Sequence, residues 1–414
     1  MIEFVKHTLK NGLRVLIHPD NSTPIVTINT VFDVGAKDED ENRTGFAHLF
    51  EHLMFGGSIH IPEFDGPLQN VGGQNNAFTS NDITNYYLTL PKQNIETGLW
   101  LESDRMLSLA FTTESLEVQR SVVIEEFKQR YLNQPYGDVW LLLRPLAYST
   151  HPYKWATIGK EVSHIEDAKM EEVKAFFYKH YTPQNAILSI AGDVKPDEII
   201  ELVEKWYGTI PAGNKYNRNL PKEPKQTEAR FLEVKRNVPQ NALYKAWHMC
   251  NRLHADYYAF DLLSDILSRG NSSRLYQELV KEKELFTEIG AYQMGSMENG
   301  LFIVSGKVKE GITMDKANEA IEKCLESLSH ELVEEQELTK VKNKVESTDT
   351  FGHINGLNKA MRIGYFELLG NADLANEEMK KYEQVSAEDL RRITTESIIP
   401  SNCSTLYYLA EKKN

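Results

Sequence analysis

Gly45-Phe46-Ala47-His48-Leu49-Phe50-Glu51-His52-Leu53-Met54-Phe55-Gly56-Gly57 is the stretch on which the reading of this chain turns. Apolar residues recur with helical period from Phe46 to Phe55, Gly45 leads in, and the glycine pair closes the run. At about 100° per residue, His52 lies about 40° from His48 and Glu51 about 60° to the other side, so all three face one way. Two imidazoles at i and i+4 can hold one zinc ion through ring nitrogens. The glutamate between them can sit beside the metal without ligating it.

Outward from this helix the pattern alternates between strand and helix. Residues 13–17, after the Asn11-Gly12 turn, and 25–32, after Pro24, read as a strand pair. Strand-like material at 76–90 is followed by helical patterns at 93–109 and 113–131, then by a buried strand at 186–193 and a helix at 196–207. Residues 211–227 are rich in Pro, Asn, Lys and Gly and read as a linker. The second half repeats the order: strand at 231–238, helices at 254–267 and 273–283, strand at 300–308, helices at 314–331 and 334–346, strand at 404–409. The expected fold is α+β, with two similar domains at 1–215 and 229–414 and the linker at 216–228.

Composition sets bounds on function. With 414 residues, 41% hydrophobic and 26% charged, the chain is globular and too long for one ordinary core. A formal net charge of −14 argues against a nucleic-acid partner, which is held by clustered Lys and Arg. The three cysteines form no C-x-x-C pair, which suggests neither a disulfide framework nor a thiolate zinc site. There is no run of about eighteen apolar residues, so no membrane span is expected. Residues 1–11 lack a cationic start followed by an apolar run. The expected compartment is the cytoplasm, or the periplasm if a signal segment has been removed.

Catalytic zinc takes three protein ligands and leaves a position for water. The best source of the third is Val122-Val123-Ile124-Glu125-Glu126-Phe127, where two acids interrupt an apolar face. Because Val122 and Val123 lie one turn below Glu126, that side chain is expected to point inward rather than Glu125. Zn2+ on His48, His52 and Glu126, with Glu51 as general base, would make a peptide hydrolase without a covalent intermediate.

The inverted H-x-x-E-H order resembles the pitrilysin family of inverzincin peptidases, which includes insulin-degrading enzyme and the mitochondrial processing peptidase. The resemblance extends through Gly72 to Ser80 with Thr84, Tyr86 and Tyr87, through His151-Pro152-Tyr153, Tyr181-Thr182-Pro183-Gln184-Asn185 and Ser272-Ser273-Arg274-Leu275, and covers residues 3–410. It implies that each domain is a mostly antiparallel sheet packed with helices, the two forming half of a clamshell. It also implies that Asn76, Ala77 and Phe78 lie on a strand that pairs with an extended peptide substrate, giving affinity without much sequence preference.

Two departures from the family pattern stand out. Gln119 occupies the place of a second glutamate that supports the metal ligand from outside the first ring of donors. Val280 and Thr287 occupy the places of an arginine and a tyrosine that hold the substrate carbonyl and oxyanion. The resemblance therefore implies a zinc-bearing subunit that forms a heterodimer with a paralogue carrying the Arg/Tyr pair, with a homodimer as the alternative. A non-catalytic assembly role, and processing of a cofactor-precursor peptide, are the competing functions.

Overall fold

The computed structural model describes residues 1–214 and 216–411, so the expected domain end at Lys215 falls outside the described residues. The chain divides into two compact units. The first gathers residues 1–128, 155–220 and 350–377, and the second gathers 129–154, 221–349 and the chain from 378 on.

The first unit is built on six strands: β1 (Val5–Thr8), β2 (Arg14–Pro19), β3 (Ile25–Phe32), β4 (Gln74–Thr79), β5 (Thr84–Pro91) and β6 (Ala186–Gly192). They lie in the order β1-β2-β6-β3-β5-β4, with β2 and β6 parallel and every other pair antiparallel. The second unit has β7 (Arg230–Arg236), β8 (Ala242–His248), β9 (Phe286–Met294), β10 (Leu301–Val308) and β11 (Cys403–Ala410). Their order is β7-β11-β8-β10-β9, and only β7 and β11 are parallel.

With β1 set aside, both sheets run first, fifth, second, fourth, third in chain order, with the parallel pair at the same place. That identity of topology is the duplication the sequence halves suggested. The expected strand at 76–90 is in fact a hairpin, β4 and β5, turned at Ser80-Asn81-Asp82-Ile83.

A continuous division at 216–228 does not describe these units, and the reason is packing. Strands β3 and β8 are largely buried on both faces, so each sheet must be covered twice. On the second sheet, Leu243 and Trp247 pack with helices Tyr257–Ser268 and Met314–His330, which follow locally in sequence. The opposite face, with Ala242 and Ala246, is covered by Val139, Leu143 and Ala147 of helix Val139–Ala147, which belongs to the first half of the chain. Conversely, helix Gly356–Leu368 lies against β2, β3 and β6 of the first sheet. Gly364 permits its close approach, since a Cβ there would stand 2.6 Å from Ser189 Oγ. Each sheet thus takes one covering helix from the other half of the sequence. Among the described residues no helix is long and apolar enough to cross a membrane.

Candidate metal centre

The central helix spans Phe46–Leu53, only two turns. Its buried face is Phe46, Ala47, Leu49, Phe50 and Leu53. Phe50 fixes the roll of the helix: its ring stacks on Phe176 and Tyr181 at 5.1 and 5.2 Å, and its carbonyl accepts the Tyr86 hydroxyl at 3.3 Å. With that face committed, His48, Glu51 and His52 are left together on the other side, each half-buried.

The second contributor is helix Thr113–Phe127, which packs on the first. Glu125 is exposed and Glu126 is half-buried. Of the two valines one turn below Glu126, Val123 is buried, but Val122 is 44% exposed and does not direct the turn. Leu116, Val123 and Phe127 are the buried residues that anchor the helix.

Glu126 Oε2 lies 3.6 Å from His48 Nε2 and 3.4 Å from His52 Nε2. One donor atom from each of the three residues lies within 4.8 Å of the others. Tetrahedral zinc, at about 2.0–2.1 Å from N and O donors, spaces neighbouring donors about 3.3–3.4 Å apart. The residues therefore fit the ion in spacing and in donor chemistry, with two imidazoles and one carboxylate. Among the described residues no other such group of three is found.

Glu51 stands beside this group. Thr79 of β4 donates its hydroxyl to Glu51 Oε2 at 2.6 Å. Burial holds the Glu51 carboxyl above its ordinary range, and Glu126 adds to the rise, whereas the Thr79 bond and His52 pull it down.

Strand β4 is one of the two outer strands of its sheet. By alternation, Thr79 shares the face turned to the central helix with Ala77, while Asn76 and Phe78 take the other face. The Ala77 amide donates to its neighbour's Asn76 Oδ1 at 2.8 Å. Gln119 lies half-buried on helix Thr113–Phe127, two turns before Glu126, outside the converging trio.

In the second unit, Val280 packs against the apolar core, and Thr287 is exposed and donates to Gln240 Oε1 at 3.2 Å. Arg274 is paired with Glu337 at 2.8 Å.

One residue of this site escaped the reading of the sequence. Glu39 is buried, and its two carboxylate oxygens accept the amides of Gly45 and Ala47 at 2.9 and 2.8 Å. Burial pushes its carboxyl up to about 8 against the pull of those two amides. Its only signal in the sequence was an acid six residues before Gly45, in a segment that reads as a polar loop.

Residues 14–148 match the family described as insulinase (peptidase family M16), and residues 167–345 match the peptidase M16 inactive domain. The zinc protease PqqE of Helicobacter pylori is 32% identical over 81% of this chain and 77% of its own length. An uncharacterized zinc protease of Bacillus subtilis, YmxG, is 26% identical over 88% of each chain. The crystal structure of a protease from Helicobacter pylori superposes with a TM-score of 0.92 at 27% identity, covering 99% of this chain and all of that one.

Proposed function

Because the chain belongs to the insulinase family, peptidase family M16, we propose that it is a zinc-dependent endopeptidase acting on small or unfolded peptides. One observation carries the reading: His48, His52 and Glu126 present three donors at zinc spacing with the Glu51 carboxyl on the same helix face. A resident zinc would supply Lewis acidity, making a water molecule a stronger acid and polarising a scissile carbonyl.

The protein's own residues do the rest. Glu51, oriented by Thr79, takes a proton from the attacking water and passes it to the departing amine. Its raised affinity for protons suits a group that must hold one and release it. The free edge of β4 takes an extended peptide by main-chain hydrogen bonding, with Asn76, Ala77 and Phe78 at the point of pairing. For that pairing the Asn76 amide must first give up the Ala77 N–H.

Support for the oxyanion comes from a partner subunit. The half-buried valine side chain at 280 has no donor, and the Thr287 hydroxyl is engaged with Gln240. A paralogue with arginine and tyrosine at those places completes the site in a heterodimer.

The test is hydrolysis of a quenched-fluorescent peptide mixture by the purified chain alone and with such a paralogue, with and without a zinc chelator. Chelator-sensitive cleavage that rises sharply with the paralogue is expected. Cleavage indifferent to chelation sinks the metallopeptidase reading, and vigorous cleavage by the chain alone sinks the need for a partner.

A further inference from the structure

The helix that carries both imidazoles has eight residues. A helix this short is unstable unless its ends are satisfied and its face is packed. The usual remedy at the start is a Ser, Thr, Asp or Asn side chain in the N-cap place. That remedy is barred here. The cap residue, Gly45, has φ 89°, and a Cβ on it would stand 2.7 Å from the Ile158 carbonyl oxygen and 2.9 Å from Ile165 Cδ1.

Glu39 supplies from six residues away what Gly45 cannot. One of its oxygens accepts the Gly45 amide and the other the Ala47 amide, the residue directly before His48. The turn holding Glu39 is itself braced. Arg218 donates to Asp33 at 2.9 Å and to Asp38 at 2.7 Å, Lys37 pairs with Asp82 at 2.8 Å, and the Ala36 and Lys37 amides bond the Ser80 and Asn81 carbonyls. The Ser80–Asn81 turn continues β4 directly beyond Thr79, the residue that orients Glu51. One hydrogen-bonded cluster thus touches both the start of the ligand helix and the strand that orients the base.

We propose that Glu39 is the positioning residue of the metal centre, holding the first turn of the ligand helix so that the two imidazoles meet Glu126 without rearrangement. This rests on the metallopeptidase reading and adds to it a residue outside the donors. A carboxyl group can accept an amide on each oxygen. Glutamine of the same shape has one acceptor and would set its NH2 against the other N–H. A group hydrogen-bonded to a metal ligand is typically worth about ten- to a hundredfold in metal affinity, and Glu39, which acts through the backbone of the ligand helix, is placed at the lower end of that range.

Zinc affinity of the folded full chain, measured by competition with a chromophoric chelator, tests the proposal together with the visible absorption spectrum of the cobalt-substituted protein. Glu39→Gln is expected to weaken zinc binding about tenfold or more and to alter the cobalt spectrum. Glu39→Asp, which keeps two oxygens on a shorter arm, is expected to fall between. Leu263→Ala in the core of the second unit is the control that lowers thermal stability and leaves zinc affinity unchanged. Should Glu39→Gln lower stability as that control does while zinc affinity and spectrum stay those of the parent, Glu39 is a structural cap only and the proposal is overturned. Should Glu39→Gln not fold, Glu39→Asp with parental affinity and spectrum overturns it alone. A parent chain that takes up no zinc overturns the proposed function itself, an outcome visible before any variant is compared.

Discussion

Replacing Glu51 by glutamine separates chemistry from metal binding in one substitution. The Thr79 hydroxyl donates to Glu51 Oε2 at 2.6 Å, and a glutamine oxygen can accept the same bond, so the side chain keeps its place. Glu51 is not one of the three converging donors, so the metal ligands are untouched. What is lost is the group that moves the proton, a contribution of about 10²–10⁴ in rate. At about 1.4 kcal/mol per tenfold, that is roughly 3–5.5 kcal/mol of barrier. Because burial already disfavours the charged form of Glu51, the neutral amide should leave thermal stability unchanged or slightly higher. The assay is steady-state cleavage of a fluorogenic peptide beside zinc content by atomic emission, both on the parent and on Glu51→Gln. The expected result is one zinc per chain in each protein and a fall in kcat of two to four decades. Parental turnover, or loss of zinc along with turnover, would refute the division of roles.

Arg105 is 1% exposed, is paired with buried Glu102, and has the rings of Phe64 and Tyr86 at 4.5 Å from its guanidinium. Arg105→Ala leaves Glu102 buried without its cation and should cost about 3–5 kcal/mol in urea unfolding, with Glu102→Gln in the same chain recovering part of it. Gly45→Ala forces a side chain into a left-handed backbone against the Ile158 carbonyl. A loss of about 2–4 kcal/mol, with weakened zinc binding, is expected; an unchanged melting temperature would mean that the turn can relax. Glu223 titrates low, at about 2: desolvation raises it, but the amides of His151, Ser149 and Thr150 outweigh that. Its folded pKa is below the unfolded value, so its contribution is present above about pH 4.5 and is lost as pH falls toward 2. Melting temperature followed from pH 5 to pH 2.5 should therefore fall less steeply in Glu223→Gln than in the parent.

Much of the site was legible because its parts are local. The i and i+4 imidazoles and Glu51 share a face by helical geometry alone, and Glu126 needed only the inside of a helix to be guessed. Val123 is buried beneath it, whereas Val122 is exposed, which no periodicity reveals. Glu39 was illegible because its partners are backbone amides, and an acid in a polar loop looks the same whether it caps a helix or meets water.

The repeated strand order was foreshadowed by the repeated run of elements, yet β8 and β9 went unread. Each carries polar residues where it faces solvent or a neighbouring helix, as at Lys245, whose ammonium is buried against Glu322 and Asn318. The exchanged helices Val139–Ala147 and Gly356–Leu368 could not be assigned to a sheet from sequence, because which face an apolar stripe covers is a long-range fact.

X-ray absorption at the zinc edge of the purified full chain, with zinc content and affinity compared between the parent and Glu126→Gln, tests the central claim most directly. The account predicts one zinc per chain, with two imidazole nitrogens and carboxylate oxygen at about 2.0–2.1 Å, and markedly weaker binding in the variant. A chain that binds no zinc at micromolar metal, or a variant that binds it with parental affinity and an unchanged spectrum, would contradict the account.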